Sequence, residues 1–530
     1  MDVGQIFDIN DRCEKQEKSH QNEKTLWSNT GFSRDLSRII FSNAYKRMAG
    51  KTQIFPAGYS DHYMTRLTHT LIVNNIAVDI ATRINLVVED ANINVDLIQA
   101  IANGHDVGHT PFGHAGEREL LHLSSNQKDL NSISRKNNHI NFHKPSYFKH
   151  NIFSVGVLQC LERVKNFDYG YDLTWQTIDG ILKHTDLTYN EGLTKYFELK
   201  IKNKLLLSPT LLNAIKNINE DITSYLQYPY PLTIEGQIVK IADEIAQYYH
   251  DVLDCSRFIE HKTDEQDPIS TILSAGHKND DCNKEYVYVQ KFINTYFKDG
   301  KIRDQKIFNP ENRESFANDF KELFINDVVY SMQKSLSITE NNVVVYIDEK
   351  KKRKIIKNIL FSQNEKGKVV PTFASPYVSF VSKTFVDYRS DILKSPQISK
   401  FDIQGTLLID FITDQILTNE SEFVKHCGKD ILHNVSTMLI DSKIYLSFEG
   451  KIINPRDMYR LNKKSNEFAS ATYRYVMEDL NEETKIVFYS DEEKNIKEKI
   501  SDLFYGTIIE TVGRMTDNYI WKLFSPKQNI

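Results

Sequence analysis

The segment 104–117, GHDVGHTPFGHAGE, concentrates side chains that could do chemistry. It holds three histidines and two acids, spaced by glycines and a proline. A buried imidazole or carboxylate without a partner costs free energy, so an ordinary core would not collect this mixture. The residue types therefore indicate a site that binds a cation or moves protons.

A candidate metal set connects this segment to two other helices. His105 and Asp106 are adjacent at a predicted helix end and could offer two ligands. His69 lies one helix earlier, and Asp243 lies in a helix much later in the chain. Two imidazoles and two carboxylates suit Mn²⁺, Fe²⁺, Co²⁺ or Zn²⁺ and, less ideally, Mg²⁺. A single histidine on an apolar helix is usually a core residue, but the order of these four residues favours a metal site.

His114 and Glu117 form a second candidate pair. They lie three residues apart on a helix that Pro111 is expected to open, and so they fall on one face. A carboxylate beside an imidazole fixes the tautomer of the ring and raises its basicity. The alternative for such a histidine is a helix cap or a surface position.

Long helices are predicted to position these groups, because residues 25–260 have a nearly continuous helical pattern. Glycine (21) and proline (13) are sparse for the length, which favours helices with few breaks. Gly104 marks the expected end of the helix before the central segment. The predicted apolar stripe of the helix around His69 contains Leu67, Leu71, Asn74, Val78 and Ala81, with Ile72, Ile76 and Ile80 beside it. The helix around Asp243 repeats Ile238, Ile241, Ile245 and Tyr248 or Tyr249.

The composition bounds the class of protein. The chain has 530 residues, of which 40% are hydrophobic, enough for a large core. Its net charge of −5 excludes a global basic face for nucleic acid. Five scattered cysteines without a CxxC pair favour a reducing cytoplasm over a disulfide framework. The N-terminus lacks the apolar region of a signal peptide, and no run approaches about eighteen apolar residues, so no membrane span is expected.

Four regions are expected along the chain. They are an N-terminal arm (1–32), a core that holds the candidate site (33–257), an insertion with loops and short strands (258–377), and a helical C-terminal region packed on the core (378–530). Within the insertion, 343–347 and GKVVPTFASPYVSFV (367–381) are β-like. The basic run DEKKKRK (348–354) is expected to be solvated, as most charge runs are. No aromatic residues for base stacking are interleaved in it, so it does not by itself predict a nucleic-acid site.

The order of a helical histidine, a His-Asp pair and a distant helical aspartate resembles the HD superfamily of metal phosphohydrolases. Further segments resemble its dGTP triphosphohydrolase-like (dNTPase) branch. They are SRDLSRIIFSNAYKRMAGKTQIF (33–55), DHYMTRLTHTL (61–71), the central segment, FKHN (148–151), TIEGQIVKIADEIAQYYHDVLD (233–254) and GRMTDNYIWKLF (513–524). The similarity is dense over 33–254 and returns near the end, whereas about 258–460 is only weakly similar.

The resemblance implies a mostly α, multi-helix HD-domain phosphohydrolase fold with a small β-hairpin element. It implies hydrolysis of a deoxynucleoside triphosphate at the α-phosphorus, with dGTP as the expected substrate and deoxynucleoside and inorganic triphosphate as products. The four metal candidates become ligands of a divalent ion, Mg²⁺ or Mn²⁺, with Co²⁺, Fe²⁺ or Zn²⁺ as alternatives. His114 and Glu117 match the catalytic histidine–acid pair of the family, and His150 matches another active-site histidine near the phosphates. His114 could protonate the leaving 5′-oxygen or take the proton of the nucleophile, and the sequence leaves both roles open.

Substrate contacts are expected from four further positions. Arg66 lies one turn before His69 and can face the same side, so Arg66 and His109 are expected to bind the phosphate tail. No Walker A loop is present in the sequence to do so. Gln53 and Asp251 match family positions that contact the 3′-OH of the sugar.

One position departs from the family. Four residues after the metal aspartate, many relatives place a tyrosine that packs against the deoxyribose, whereas this chain has Gln247 followed by Tyr248. A side chain at 248 points about 100° away from position 247, so it does not replace that tyrosine. A looser or more polar sugar pocket is therefore expected, although dNTP is still expected over NTP.

Members of the family form ring-like oligomers, hexamers or tetramers, so a homo-oligomer is expected. Some respond to single-stranded DNA, which leaves single-stranded DNA or a dNTP open as an effector. Two other functions stay open: an HD-domain phosphohydrolase that acts on another nucleotide or a phosphomonoester, and a regulatory protein that senses nucleotides. Release of inorganic triphosphate instead of single phosphate would separate the two enzymes, and a broken metal set would favour the sensor.

Overall fold

The computed structural model is mostly helical over the residues it describes, which confirms the expected fold class, mostly α. The described residues are 31–53, 64–88, 91–125, 149–162, 170–171, 173–186, 229–258, 285–298, 301–302, 310–337, 360–365, 368–393, 396–441, 444–453, 461, 464–477, 486–489 and 496–524. The predicted strand 343–347, the basic run 348–354 and nearly all of the predicted N-terminal arm lie outside them.

The first half of the chain supplies the helices around the candidate site. They are α1 (Gly31–Phe41), α2 (Asn43–Arg47), α3 (Arg66–Val87), α4 (Val95–Gly104), α5 (Gly113–Ser125), α6 (His150–Gly156), α7 (Trp175–Lys183) and α8 (Ile234–Phe258). A 3₁₀ turn (Met48–Gly50) follows α2, and a π-helical turn (Val157–Leu161) follows α6. Because α8 packs against α3, α4 and α7, side chains from all four helices can meet at one place.

The second half adds helices and short strands. They are α9 (Val287–Tyr296), β1 (Phe297–Lys298), β2 (Lys301–Ile302), α10 (Pro310–Ser337), β3 (Phe361–Gln363), β4 (Val369–Pro371), α11 (Pro376–Leu393), α12 (Pro396–Thr418), α13 (Glu420–Asp441), β5 (Tyr445–Phe448), β6 (Lys451–Ile453), α14 (Ser465–Met477), β7 (Ile486–Tyr489), α15 (Ile496–Arg514) and α16 (Asp517–Phe524). The strands pair antiparallel, as the hairpins β1–β2 and β3–β4 and as a sheet in the order β6–β5–β7.

The strand predictions were only partly right. Within the β-like stretch 367–381, Val369–Pro371 pairs with β3, but Pro376 already begins α11. Proline suits the first turn of a helix, where its missing N–H is not needed. The sequence pattern also did not indicate the sheet of β5, β6 and β7, because strands of three or four residues are too short to show a clear period.

The buried face of α3 differs from the predicted apolar stripe. Leu71, which belonged to that stripe, is 50% exposed. The buried residues are Arg66, His69, Thr70, Val73, Ile76, Ala77, Ile80, Ala81 and Ile84. The helix begins with three polar side chains that turn inward, and a pattern of apolar residues does not indicate this. The hydroxyl of Thr65 caps this start by accepting a hydrogen bond from the N–H of Thr68.

The other helix predictions near the site had mixed outcomes. The predicted apolar row of α8 is buried, and α4 ends at Gly104. The next helix begins at Gly113, and not at Pro111 as predicted. Phe112 and Gly113 have φ values of 58° and 56°, in the left-handed region, so the right-handed helix does not extend back through Phe112 to Pro111. The left-handed backbone at Phe112 is a strained conformation for a bulky residue.

Two hydrophobic clusters fill the interior. The first draws on residues 32–385 and encloses much of α3, α4, α7 and α8. The second draws on residues 401–520 and on three earlier side chains, Phe112, Leu120 and Leu123. α5 therefore packs its apolar side in the second cluster, although it directly follows the central segment of the candidate site. The division into four regions made from the sequence stays a prediction.

One described helix, α3, is long and apolar enough by length and composition to cross a membrane. Its packing is that of a core helix, since it contacts α4, α8 and α10 and carries Arg66 and His69 on its buried face. The expectation of no membrane span stays a prediction.

The central segment lies in backbone contact with α6. The Ser154 hydroxyl donates to the carbonyl of His105 (2.7 Å) and accepts from the N–H of Gly108 (2.9 Å). A Cβ added at Gly108 would lie 2.1 Å from the backbone nitrogen of Ser154 and 2.6 Å from the carbonyl carbon of Phe153. Only glycine therefore permits this approach.

Gly108→Ala should destabilise the protein by about 3 kcal/mol, because two backbones must separate to admit the methyl group. Gly506→Ala in α15 is the matched control, since a Cβ there meets nothing within 4 Å. That control should be neutral or more stable by roughly 0.5–1 kcal/mol, the usual helix gain of alanine over glycine. Thermal unfolding followed by circular dichroism measures both changes. Equal melting temperatures for the two variants would contradict the close contact.

Candidate functional site

The four predicted metal ligands converge in the structure. Nε2 of His69 lies 2.9 Å from Oδ1 of Asp243 and 4.0 Å from Oδ2 of Asp106. Nε2 of His105 lies 3.6 Å from Oδ1 of Asp106 and 4.0 Å from Oδ1 of Asp243. All four residues are buried or nearly so. The four residues come from α3, the end of α4 and α8, which are far apart in the sequence. The fold thus brings two imidazoles and two carboxylates within reach of one cation.

The donor set fits a cation at the level of individual atoms. Nδ1 of His105 lies 2.6 Å from the carbonyl of Ala102, so that nitrogen carries the proton and donates. Its Nε2 is left as a lone-pair donor, and this buried atom has no hydrogen-bond partner. An orphaned buried nitrogen that faces two carboxylates is what a metal ligand requires.

His250, which the sequence analysis did not single out, lies behind His69. Their Nδ1 atoms are 3.3 Å apart, so one ring donates to the other. If His69 keeps its Nε2 lone pair for a cation, its Nδ1–H donates to His250. Burial and the neighbouring imidazole of His69 lower the pKa of His250 well below its ordinary value, which keeps the ring neutral and able to accept.

Asp106 is held as a buried carboxylate. Burial alone would raise its pKa, but the imidazoles of His105 and His109 and the guanidinium of Arg66 lower it well below the ordinary value. Arg66 donates to Oδ2 of Asp106 (2.8 Å) and to the carbonyls of Thr52 (3.1 Å) and Gln53 (3.4 Å). The structure thus places Arg66 beside the metal candidates, with all three guanidinium nitrogens already bonded to protein oxygens.

Glu117 contacts two histidines, whereas the sequence paired it with one. Its Oε2 lies 3.3 Å from Nδ1 of His114 and 3.0 Å from Nδ1 of His150. Burial would raise the pKa of Glu117, but the imidazole of His150 and the bonds from both rings lower it below its ordinary value. The His114 side chain is 55% exposed, while that of His150 is 7% exposed. Glu117 can therefore orient both rings, of which only His114 is largely open to solvent.

His109 lies between these two groups. Its Nε2 is 3.5 Å from Oδ1 of Asp106, and its ring stacks on that of His150 with centroids 3.9 Å apart. Burial and the charge of Arg66 lower the pKa of His109 well below its ordinary value. Its buried Nδ1 has no hydrogen-bond partner. The ring is thus neutral and retains an unused polar atom.

The predicted sugar contacts also hold unpaired oxygens. Oε1 of Gln53 and Oδ2 of Asp251 are buried without a hydrogen-bond partner. Burial raises the pKa of Asp251 to about 6, and the guanidinium of Arg389 opposes this shift. Nε of Arg389, on α11, lies 3.9 Å from Oδ2 of Asp251.

Gln247, at the position where the resemblance led us to expect a tyrosine, is part of a polar network. Its Nε2 donates to both oxygens of Asp243 (3.3 Å each), and its Oε1 accepts a hydrogen bond from Arg389. The amide thus links a metal candidate to a cation from a region that the sequence only weakly related to the family. A glutamine can make both bonds at once, whereas a tyrosine hydroxyl on a rigid ring cannot reach them equally.

His184 is another residue that the sequence analysis missed. It follows α7, and its Nε2 lies 3.9 Å from Oδ1 of Asp106. Burial and the neighbouring imidazole of His105 lower its pKa to about 3, so the ring is neutral. A single histidine at the end of an apolar helix gives no sequence signal. For His250 a signal existed, because it lies seven residues after Asp243, two turns along the same helix face.

The second hydrophobic cluster is tied to the site by two buried charges. Asp517, at the start of α16, accepts hydrogen bonds from the N–H groups of Thr52 (3.0 Å) and Phe112 (3.0 Å). The ammonium of Lys51 donates to the carbonyls of His109 and Gly513. These bonds fix the strained backbone at Phe112 and the segment before Gln53 from the C-terminal side.

Comparison with known proteins gives a consistent result. The family model of the HD domain matches residues 66–248, which include the four metal candidates. Similar proteins named deoxyguanosinetriphosphate triphosphohydrolase-like protein come from Desulfatibacillum aliphaticivorans (36% identity, covering 43% of this chain and 48% of that protein) and Bartonella tribocorum (32%, covering 64% and 72%). A third, from Clostridium tetani, is 33% identical over 47% of this chain and 53% of that protein. The chain thus matches about half of the length of two of these relatives and 72% of the third.

The buried Lys51, which joins the carbonyls of His109 and Gly513, makes the stability of the protein depend on pH and so offers a test of its burial. Burial and the charge of Arg47 lower its pKa from 10.5 to about 7. Between these values the unfolded chain binds a proton at Lys51 that the folded chain does not, so stability should rise with pH. The free energy of unfolding of the wild type, relative to Lys51→Met, should increase by roughly 2 kcal/mol from about pH 7 to about pH 9.

Urea unfolding at the two pH values measures this difference. Lys46→Met is the matched control, because it removes an exposed lysine side chain five residues away. A constant difference between wild type and Lys51→Met would show that the ammonium stays charged inside the protein.

Proposed function

The chain belongs to the deoxyguanosinetriphosphate triphosphohydrolase-like family of HD-domain proteins, and on this premise we propose that it hydrolyses deoxynucleoside triphosphates. The proposed products are deoxynucleoside and inorganic triphosphate, and the proposed first substrate is dGTP. One observation carries the proposal: the four metal candidates, His69, His105, Asp106 and Asp243, converge. Beside them lies a second group, in which Glu117 contacts both His114 and His150. A cation site and a proton-transfer site adjoin, as hydrolysis of a phosphoric anhydride or ester requires.

The four converging residues would hold a divalent ion. When bound, such an ion polarises a phosphate oxygen and lowers the pKa of a coordinated water. Two imidazoles among four donors favour Mn²⁺, Fe²⁺, Co²⁺ or Zn²⁺ over Mg²⁺ on ligand type, while the abundance of Mg²⁺ keeps it a candidate.

His114, Glu117 and His150 would handle protons and position the substrate. Glu117 is ionised and can stabilise a positive charge on either ring. The exposed side chain of His114 can approach the 5′-oxygen that leaves from the α-phosphorus, and can protonate it or relay the proton of the attacking water. The buried ring of His150 lies deeper, toward the metal candidates.

The phosphate tail would lie against His109 and Arg66. The unpaired Nδ1 of His109 is available for a phosphate oxygen. Arg66 would act mainly by its charge, because its nitrogens already bind Asp106 and two carbonyls. The triphosphate carries several negative charges, so it needs a cationic side chain such as Arg66 in addition to the metal ion.

The unpaired oxygens of Gln53 and Asp251 would accept a hydrogen bond from the 3′-OH of the sugar. Gln247, one turn before Asp251 on α8, and Arg389 of α11 add polar atoms beside Asp251, where a close apolar wall would best exclude a 2′-OH. This polar network is the one observation that favours a second candidate substrate, a ribonucleoside triphosphate.

We further propose that the protein is a homo-oligomer of the cytoplasm, a hexamer or tetramer. The proposal is supported by three apolar residues spaced by four on α12, Ile403 (61% exposed), Leu407 (62%) and Phe411 (41%). Static light scattering of the pure protein measures the number of chains. A single-stranded DNA or dNTP effector stays open and can be added to the same assays.

The decisive experiment is product analysis. The pure protein is incubated with each of the four dNTPs and with GTP, with Mg²⁺ or Mn²⁺, and the products are separated by ion-exchange chromatography. We expect deoxynucleoside and inorganic triphosphate in equal amounts, and slower or no conversion of GTP. Release of single phosphate would assign the site to another phosphohydrolase, and equal efficiency for dGTP and GTP would contradict the dNTPase proposal.

Two variants separate ligand from proton-handling roles. His105→Asn removes a metal ligand and should lose both bound metal and turnover. Glu117→Gln keeps the four ligands, so at least one ion per chain should remain while kcat falls by about 10²-fold or more. Elemental analysis and steady-state kinetics measure both. If Glu117→Gln kept normal kcat, Glu117 would have no part in catalysis.

A further inference from the structure

Arg389 brings a cationic hydrogen-bond donor to the sugar end of the proposed substrate site. It reaches this place from α11, and one of its terminal nitrogens donates to Oε1 of Gln247. Among the residues that the structure describes, its Nε and its other terminal nitrogen have no hydrogen-bond partner. The side chain is 21% exposed, so most of it is shielded from solvent. The guanidinium therefore keeps N–H groups for a ligand.

An unpaired acceptor lies opposite this donor. Oδ2 of Asp251 is buried without a hydrogen-bond partner, 3.9 Å from Nε of Arg389. This separation is too long for a hydrogen bond between the two groups. A single hydroxyl oxygen can instead lie about 2.8 Å from each of them, where it accepts from the Nε–H and donates to Oδ2. A donor and an acceptor held apart in this way are complementary to a hydroxyl group of a ligand.

The alternative role for Arg389 is that of a counter-ion for the carboxylate of Asp251. A comparison within the same site argues against it. Arg66 closes on Oδ2 of Asp106 to 2.8 Å, as an ion pair does when nothing has to fit between its partners. Arg389 stays farther from Asp251 and is bonded to Gln247, which is itself fixed by its bonds to a metal candidate. The guanidinium is thus held beside the carboxylate without closing on it.

The number of unpaired acceptors exceeds what a deoxyribose can satisfy. Gln53 and Asp251 each hold one buried oxygen without a partner, and both are proposed to face the sugar. The sugar of a dNTP has one free hydroxyl, at the 3′ carbon, and so one proton to donate. A ribose has two neighbouring hydroxyls, which can donate to both acceptors and still accept from Arg389. Because a buried acceptor left unpaired costs free energy, the polar atoms here match a ribose better in number.

We propose that Arg389 determines the sugar specificity of this site by donating a hydrogen bond to a 2′-hydroxyl, so that ribonucleoside triphosphates are substrates besides dNTPs. The inference rests on the proposed function, because it places the nucleotide as that function does. With a dNTP bound, Arg389 keeps its bond to Gln247, so deoxyribose is still accepted. The reaction is the same for both sugars. The bond from the α-phosphorus to the 5′-oxygen breaks, and water supplies a hydroxyl to the phosphorus and a proton to that oxygen.

The ratio of kcat/KM for GTP to that for dGTP tests the inference on the full-length protein. The wild type should convert GTP more slowly than dGTP but at a measurable rate. Arg389→Met and Arg389→Gln should each lower the ratio by about tenfold to a hundredfold, the scale of one hydrogen bond from a charged donor. Arg389 also opposes the raised pKa of Asp251, so its loss affects both nucleotides, and only the ratio isolates the 2′-hydroxyl. Circular dichroism selects the variants that fold.

A variant and a nucleotide serve as controls. Lys383→Met removes an exposed cation from the same helix and should leave the ratio unchanged. The arabinose analogue of GTP carries its 2′-hydroxyl on the opposite face of the sugar, so its efficiency relative to dGTP should not depend on Arg389. A folded Arg389 variant with the wild-type ratio would overturn the inference. The same holds if the arabinose analogue loses as much as GTP, or if the wild type neither binds nor converts GTP.

Binding separates this inference from the proposed function. Isothermal titration calorimetry in the Glu117→Gln background, where turnover is expected to be slow, gives Kd for GTP and dGTP with Arg389 and with Arg389→Met. If the ratio of the two Kd values depends on Arg389 and the wild type hydrolyses neither nucleotide, the inference stands and the proposed function fails. If dGTP yields inorganic triphosphate but neither ratio depends on Arg389, the proposed function stands and the inference fails.

Discussion

The burial of an ionised Asp106 is the constraint on which this structure depends. The residue is 3% exposed, and an isolated carboxylate there would be very costly. Its charge is stabilised by imidazoles and by Arg66, which in turn requires the start of α3 to be polar and buried. Helices α3, α4 and α8 therefore pack by apolar contact along most of their length and by charge at one end. That end is where the four metal candidates meet.

The site is built from both hydrophobic clusters, although every metal candidate lies in the first half of the chain. Asp517 holds the backbone N–H groups of Thr52 and Phe112, and Lys51 spans from His109 to Gly513. Arg389 reaches Gln247 from α11 in the same way. The late elements thus do not supply the metal set; they fix the strained loop and the polar network beside it.

The sequence predicted the parts of the site that depend on residue type and local spacing. The His-Asp pair, the helix of Asp243 and the neighbourhood of Glu117 follow from the central segment and the family resemblance. His184 and Arg389 could not be found in this way, because each is a single polar residue brought in by tertiary packing. The apolar pattern of α3 was wrong at Leu71, which is half exposed, whereas Ile76, Ile80 and Ala81 of that pattern are buried. The inward turn of Arg66 follows from its bond to Asp106 and not from hydrophobicity. The β5–β7 sheet was missed because its strands are too short for a period to appear.

The position of α5 limits how the protein can be dissected. Its apolar side, with Leu120 and Leu123, is completed only by residues after 400, and Gly405 lies so close to Phe112 that an added Cβ would be 2.7 Å from its Cβ. A fragment that stops at the end of α8 would hold every metal candidate yet present these side chains to water. Such a fragment is expected to aggregate or to lose the geometry of the loop at Phe112. The minimal functional unit is therefore longer than the segment that carries the chemistry, and a truncated or split version of the protein should keep α12, α15 and α16 together with it.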